Sequence, residues 1–131
     1  MKLPILCEEF ILQAEAKALA TFSHQSGVHV VPVSTIKIME GEIVLVNYFM
    51  GQTLKNLQEN PEVSLVCWKG LVGYQIKATA RAEENGELFD SIVSWVKTIL
   101  PERIVKGIVV LTPTAVFDIS ADAEKAGKEV L

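Results

Sequence analysis

The sequence predicts a mostly β protein, an antiparallel barrel of about six or seven strands with a few short helices. Short runs of β-branched residues follow one another along the chain, turn residues separate them, and helical spacing of apolar residues is confined to a few segments. A barrel is favoured because closure removes exposed strand edges. With 131 residues and neither a linker nor a repeat, the chain is expected to form one domain over residues 1–131.

The first predicted elements are a helix and two strands. A short amphipathic helix is predicted over Pro4 to Gln13, because proline stands at a first-turn position and apolar residues follow at helical spacing. Strands are predicted at Ala18 to Ser23 and at Val28 to Met39. They flank Gln25-Ser26-Gly27, where glycine suits the positive φ of a hairpin turn.

The middle of the chain predicts three further strands. A second hairpin at Glu40-Gly41 leads into a strand over Glu42 to Tyr48, and Val63 to Lys69 is another run rich in β-branched residues. From Tyr74 to Glu83 apolar and polar residues alternate strictly. This alternation is typical of a half-buried strand in an antiparallel sheet.

The last predicted elements are a helix and two strands. Apolar residues recur at helical spacing from Leu88 to Leu100, with Asn85 as the expected N-cap and Pro101 ending the helix. Two strands, at Val105 to Leu111 and at Ala115 to Ile119, are predicted on either side of a Thr-Pro-Thr turn.

Composition narrows the class of protein. Half of the residues are apolar and the mean hydropathy is +0.33, which is high for a soluble monomer, so a partner subunit is expected. No stretch reaches the ~18 apolar residues of a spanning helix, and Glu8 and Glu9 stand where a signal peptide is apolar, so the protein is expected to be cytoplasmic and not in a membrane. A net charge of −4 without a basic cluster argues against nucleic acid as a partner.

The segment that points to chemistry runs from Pro32 to Pro61. Pro32 has no N–H for a sheet ladder, so it marks an edge or a bulge against which a flat ligand could lie. Gly51-Gln52-Thr53 then opens a helix whose first amides lack intrahelical partners and attract an anion. Gly51 allows close approach, Thr53 offers a hydroxyl and Lys55 adds positive charge. The alternative is that these residues only cap a connecting helix.

Other candidate sites have little support. His24 and His29 flank the first hairpin turn but lack the further ligands that a metal site needs, so no metal is expected. Cys7 and Cys67 are far apart in sequence and are expected to be reduced, structural thiols. No serine lies in a G-x-S-x-G context, so hydrolase chemistry is not predicted.

Taken together, the ordered segments resemble the FMN-binding split-barrel family, which includes pyridoxamine-phosphate oxidase. The likeness covers nearly the whole chain, and its order and spacing carry it rather than any single motif. The matching segments are Lys17-Ala18-Leu19-Ala20-Thr21, Val30-Val31-Pro32-Val33-Ser34, Met50-Gly51-Gln52-Thr53-Leu54-Lys55-Asn56-Leu57 with Asn60-Pro61, Gly73-Tyr74-Gln75-Ile76-Lys77-Ala78-Thr79-Ala80, and Val116-Phe117-Asp118-Ile119-Ser120 with Ala126-Gly127-Lys128.

The resemblance implies a Greek-key split β-barrel that pairs into a homodimer and holds FMN at the subunit interface. By similarity, Pro32, Val33 and Ser34 would face the isoalloxazine ring. The ribityl chain and phosphate would be held by Asn47, Met50, Gly51, Gln52 and Thr53. Relatives often carry Lys or Arg at the position of Gln52, so Lys55 or the partner subunit is expected to supply the missing charge. The longer C-terminal region of pyridoxamine-phosphate oxidase is lacking, so that activity is not predicted.

The resemblance further implies an oxidoreductase or flavin reductase in which FMN transfers hydride or electrons and no side chain is catalytic. A reduced nicotinamide or a redox protein would be the partner. The alternatives are an FMN-binding electron carrier without a dedicated substrate, a barrel that binds haem or a deazaflavin, and a barrel that has lost its cofactor and serves as an interaction module.

Overall fold

A computed structural model describes residues 1–130 of the chain. Its helices are α1 (Ile5–Gln13), α2 (Gly51–Glu59) and α3 (Glu87–Ile99). None of the helices in residues 1–130 has the length and apolar character needed to cross a bilayer.

The strands together form one antiparallel sheet of seven strands, in the order β2-β1-β5-β6-β7-β4-β3. They are β1 (Ala16–Ser23), β2 (Gly27–Pro32), β3 (Ile36–Met39), β4 (Glu42–Asn47), β5 (Glu62–Lys69), β6 (Val72–Glu83) and β7 (Gly107–Asp118). This confirms the predicted fold class, a mostly β protein with antiparallel strands and a few helices. Both hairpins are also confirmed: Gly27, the first residue of β2, has φ 76°, and Glu40 and Gly41 have φ 52° and 82° between β3 and β4.

The predicted strand over Val28 to Met39 is wrong, because the structure divides it into β2 and β3. These two strands are consecutive in the chain but lie at opposite ends of the strand order. The N–H of Val33 donates to the Lys17 oxygen of β1 at 3.0 Å, and the Thr35 oxygen accepts from the N–H of Val46 in β4 at 3.1 Å. Residues 33–35 therefore join the two ends of the sheet. Pro32, which has no N–H to continue the ladder, ends β2 at this split.

The two strands predicted after α3 are one continuous strand, β7. Lys77 pairs with Ala115 and Ala78 pairs with Pro113, so Thr114 is an extra residue in a bulge. The hydroxyl of Thr114 donates to the Lys77 oxygen at 3.1 Å. The Thr-Pro-Thr segment thus bends a strand, whereas the sequence predicted that it would end one.

The predicted N-cap of α3 is also wrong. Gly86 precedes the helix with φ 104°, a conformation suited to glycine, and the helix start has no side-chain cap. Glu87 and Asp90 instead place negative charge in the first turn, which favours the helix start electrostatically.

Two apolar clusters are buried on opposite faces of β4. Because side chains alternate along a strand, Ile43 and Leu45 face the larger cluster, which α1 and most strands share. Val44 and Val46 face the smaller cluster, where Ile92 and Val96 of α3 pack against the sheet, as the apolar stripe of that helix predicts. β4 is therefore fixed from both sides, and the loop that follows it starts from a rigid point.

Candidate functional site

Four of the nine residues predicted to bind a ligand meet in one cleft at the split of the barrel: Pro32, Val33, Ser34 and Met50. The cleft has a volume of about 290 Å³. Its other lining residues are Val31, Val46, Tyr48, Phe49 and Arg103. Most of this surface is apolar, and it is formed by the irregular backbone after β2 and the loop after β4.

Tyr48 forms a fixed wall of the cleft. It is 7% exposed, and its hydroxyl donates to the Thr35 hydroxyl at 3.0 Å in a buried hydrogen bond. Thr35 lies in the segment that joins the two ends of the sheet. The hydrogen bond therefore ties the ring of Tyr48 to the split, and the shape of the cleft is set before any ligand enters.

Asn47 organises the loop between β4 and α2. It is buried, and its side-chain oxygen accepts from the N–H of Met50 at 2.7 Å. Its backbone oxygen accepts from the N–H of Lys106 at 3.0 Å. Its side-chain oxygen therefore shapes the loop and positions the neighbouring residues. The ligand contact that the sequence predicts for Asn47 stays a prediction.

The first turn of α2 has free amides and an unpaired hydroxyl. Within residues 1–130, no backbone oxygen accepts from the N–H of Gln52 or Thr53. A Cβ built on Gly51 meets nothing within 4 Å, so this backbone is open to an approaching group. Thr53 is fully buried, and its Oγ1 has no hydrogen-bond partner among the described residues. An unpaired buried hydroxyl is unfavourable by ~1–3 kcal/mol, and an acceptor that reached it would remove that penalty.

Gln52 and Lys55 line a different pocket, between α2 and the turn from β1 to β2, with a volume of about 220 Å³. The side-chain N–H groups of Gln52 donate to the oxygens of Ser26 and Asn56, both at 2.9 Å. Asn56 in turn donates to the buried Thr21 hydroxyl at 3.0 Å. This network holds α2 against the hairpin, and it keeps the side-chain amide of Gln52 away from the apolar cleft.

The sequence prediction missed five lining residues of the cleft, and three of them are aromatic or charged: Tyr48, Phe49 and Arg103. Tyr48 and Phe49 stand beside the predicted segment, and their aromatic character between β4 and α2 was a usable signal. Arg103 lies in the connection from α3 to β7, and its guanidinium carbon is 5.3 Å from the centre of the Tyr48 ring. Its position depends on the barrel closing, so local sequence gave no signal for it.

A larger groove, of about 600 Å³, contains none of the nine predicted residues. In the described part of the chain, no three His, Cys, Asp or Glu side chains come together in a way that could hold a metal ion.

Comparison with known proteins places the chain among sequence relatives. The family model for pyridoxamine 5'-phosphate oxidase matches residues 3–126. An uncharacterised protein of Methanocaldococcus jannaschii is 31% identical over 129 residues, covering 94% of this chain and 86% of that protein.

Solved structures share the fold at low identity. HupZ of Group A Streptococcus has a TM-score of 0.81 at 15% identity, covering 96% of this chain and 98% of that chain. An FMN-binding protein of Syntrophomonas wolfei has a TM-score of 0.71 at 16% identity, covering 90% and 91%. HutZ, the haem storage protein of Vibrio cholerae, has a TM-score of 0.68 at 18% identity, covering 89% and 94%. By the extent of the family match, the chain belongs to the pyridoxamine 5'-phosphate oxidase family.

Proposed function

We propose that this protein binds FMN at a homodimer interface and acts as an oxidoreductase or flavin reductase. The family and an FMN-binding structural relative make a flavin the best-supported cofactor. The cleft and the start of α2 offer two neighbouring surfaces of different chemistry, one apolar and one rich in hydrogen-bond donors. FMN has a flat tricyclic ring and a phosphate, and so it matches both surfaces.

The apolar cleft would take the ring. At about 290 Å³ it is near the lower end of the size of small-molecule sites, roughly 300–1,000 Å³. That size suits the ring, with the ribityl chain leading out past Met50 towards α2. Backbone at Pro32, Val33 and Ser34 would lie along the ring, while Tyr48 closes one side and limits access of water.

The start of α2 would take the phosphate, and the unpaired Thr53 hydroxyl is the observation that carries this proposal. A doubly negative group is stabilised by free amides at a helix N-terminus. The amides of Gln52 and Thr53 would donate to it, and the open face of Gly51 leaves room for it. Because Thr53 is fully buried, a small shift of the first turn would be needed for its hydroxyl to reach a phosphate oxygen. Lys55 contributes charge at longer range.

In this account the protein binds and orients the cofactor, and no side chain is a catalytic residue. When bound, FMN supplies the hydride or electron transfer. Asn47 keeps the loop in place, Tyr48 holds the wall of the cleft, and the apolar lining lowers the local dielectric constant. A reduced nicotinamide or a redox protein would deliver the electrons.

Pairing of two copies would complete the site. Several large apolar side chains are exposed, including Phe49 at 80%, Leu71 at 76% and Val28 at 74%. Phe49 stands at the cleft itself. Exposed apolar surface of this kind is typical of association surfaces. A second copy that covers Phe49 would also shield the bound ring from water.

Two other functions use the same fold. An FMN-binding electron carrier would need the same site but no substrate pocket. A barrel that binds haem or a deazaflavin is the second alternative, and the haem storage relative HutZ favours it at the level of fold.

The visible spectrum of the purified protein tests the proposal. An oxidised-flavin band, present at once or restored by added FMN, is expected. A protein that stays colourless with FMN and acquires a Soret band with haem would overturn it. Sustained oxidation of a reduced nicotinamide by the FMN-loaded protein supports the enzyme, whereas FMN binding without turnover supports the carrier.

A further inference from the structure

The connection between α3 and β7 places Arg103 in the lining of the apolar cleft, and Lys106 of the same connection lies 5.2 Å from the centre of the Phe49 ring at its edge. The backbone N–H of Arg103 donates to the backbone oxygen of Leu100 at 3.0 Å, which closes a turn directly after α3. The guanidinium carbon lies 5.3 Å from the centre of the Tyr48 ring, and Tyr48 is itself fixed by its buried hydrogen bond to Thr35. The side chain of Arg103 is exposed, but its guanidinium lies over a fixed aromatic ring.

The charge of Arg103 is not neutralised by a carboxylate. Within residues 1–130, the ion pairs are those of Arg81 with Glu42 and with Glu83. Of the residues that line the apolar cleft, Arg103 alone is charged. An unpaired guanidinium beside an apolar surface interacts more strongly with a negative ligand than it would in open solvent.

We infer that Arg103 tunes the reduction potential of the bound flavin by stabilising the negative charge of its reduced ring. This inference rests on the proposed FMN site. A reduced nicotinamide that gives up two electrons and a proton becomes the oxidised pyridinium form, and the ring that receives them gains one net negative charge. A cation at the edge of the ring favours that product over the uncharged oxidised ring, and such charges are a known means of tuning flavins.

The position of Arg103 favours the ring over the phosphate as its target. Arg103 lines the same cleft as Pro32, Val33 and Ser34, whereas Gln52 and Lys55 line the separate polar pocket beside α2. A phosphate at the amides of α2 would thus meet a different set of side chains. The two targets have different consequences. A contact with the phosphate would strengthen the binding of both the oxidised and the reduced form of FMN, whereas a contact with the ring would strengthen mainly the binding of the reduced form.

The test compares Arg103→Gln with Arg103→Lys in the FMN-loaded protein, by potential measurement against redox dyes and by fluorescence titration with oxidised FMN. We expect Arg103→Gln to weaken binding of reduced FMN about tenfold, a fall in potential of about 30 mV for a two-electron couple. The affinity of Arg103→Gln for oxidised FMN should stay within about twofold of that of the unchanged protein. Arg103→Lys keeps the positive charge, so its reduction potential should stay close to that of the unchanged protein. Lys97→Gln, an exposed substitution in the last turn of α3, is the matched control and should change neither quantity.

Three results would overturn the assignment. Weaker binding of oxidised FMN at an unchanged potential would place Arg103 at the phosphate, and no change in either quantity would mean that it does not contact the cofactor. If the unchanged protein binds no FMN at all, the proposed function fails together with this inference. Thermal unfolding of Arg103→Gln guards against a folding defect, which is not expected because Arg103 is exposed.

Discussion

The side-chain oxygen of Asn47 accepts a hydrogen bond from the N–H of Met50 at 2.7 Å. Asn47 is 4% exposed, and its backbone oxygen accepts from the N–H of Lys106. One buried residue at the end of β4 therefore holds both the loop that leads into α2 and the segment that leads into β7. The cleft and the helix start keep their relative position through this residue.

Asn47→Ala should destabilise the protein by about 1–3 kcal/mol, because it removes a buried hydrogen-bond acceptor. Urea unfolding measures this loss. Asn60→Ala is the matched control, since the Asn60 side chain accepts from the N–H of Glu62 at 3.0 Å in a solvent-exposed hydrogen bond. It should change stability by less than about 0.5 kcal/mol. Equal losses in the two variants would mean that Asn47 has no special role in the loop.

Thr53→Val separates stability from ligand affinity. The hydroxyl of Thr53 is buried without a partner among the described residues, so its removal should leave the free energy of unfolding unchanged or higher. Affinity for FMN should fall about tenfold, the effect of one hydrogen bond to a charged group. Denaturant unfolding and fluorescence titration give the two values.

Thr35→Val is the control for that experiment. The Thr35 hydroxyl accepts from Tyr48 in a buried hydrogen bond, so the same substitution there should cost about 1–3 kcal/mol. If Thr53→Val is as destabilising as Thr35→Val, or leaves FMN affinity unchanged, the phosphate does not lie at Thr53.

The two cysteines should be unreactive while the protein is folded. Burial raises the pKa of Cys67 to about 11, and it also raises the pKa of Cys7. Since the thiolate is the reactive form, a disulfide reagent at pH 8 should label neither thiol at an appreciable rate in buffer and both in denaturant. Rapid labelling of the folded protein would show that the cluster around these residues opens easily.

Stability should depend weakly on pH through Glu42. Hydrogen bonding to Arg81 lowers the pKa of Glu42, and Thr112 adds a further hydrogen bond. A lowered folded pKa contributes stability above the unfolded value of about 4.3, and this contribution is lost as the pH falls through the folded value. Since both partners are partly exposed, the contribution should stay below about 1 kcal/mol.

Glu42→Gln tests that dependence. The variant should be less stable than the unchanged protein at pH 7, and the difference should be smaller at pH 3, as measured by urea unfolding at both values. Glu124→Gln, at an exposed position near the C-terminus, should match the unchanged protein throughout. A gap of the same size at both pH values would rule out titration of Glu42 as its cause.

Much of the fold could be predicted from local patterns. The alternation from Tyr74 to Glu83 gave β6, and the positive φ of Gly27 and of Glu40-Gly41 agrees with the two predicted hairpins. The prediction errors occurred where pairing between strands distant in sequence determines where a strand ends. Nothing local distinguishes a strand that stops after Pro32 from one that continues past it, because only the positions of β1 and β4 determine where residues 33–35 turn.

The candidate site was predictable in part for the same reason. Pro32 and the Gly51-Gln52-Thr53 turn carry their own signals, and the structure brings the first to the cleft and the second to the helix beside it. That Gln52 would hydrogen-bond with Ser26 could not be predicted, since it depends on how α2 packs on the hairpin. The presence of Arg103 at the cleft could not be predicted either, because it depends on how the connection between α3 and β7 packs against the loop after β4.

The most direct test of a phosphate site at α2 compares the affinities of FMN and riboflavin, which share the ring and differ by the phosphate. Fluorescence titration of the purified protein measures both. If the amides of Gln52 and Thr53 receive the phosphate, FMN should bind at least about tenfold more tightly than riboflavin. Equal affinities for the two ligands, or binding of neither, would contradict the account.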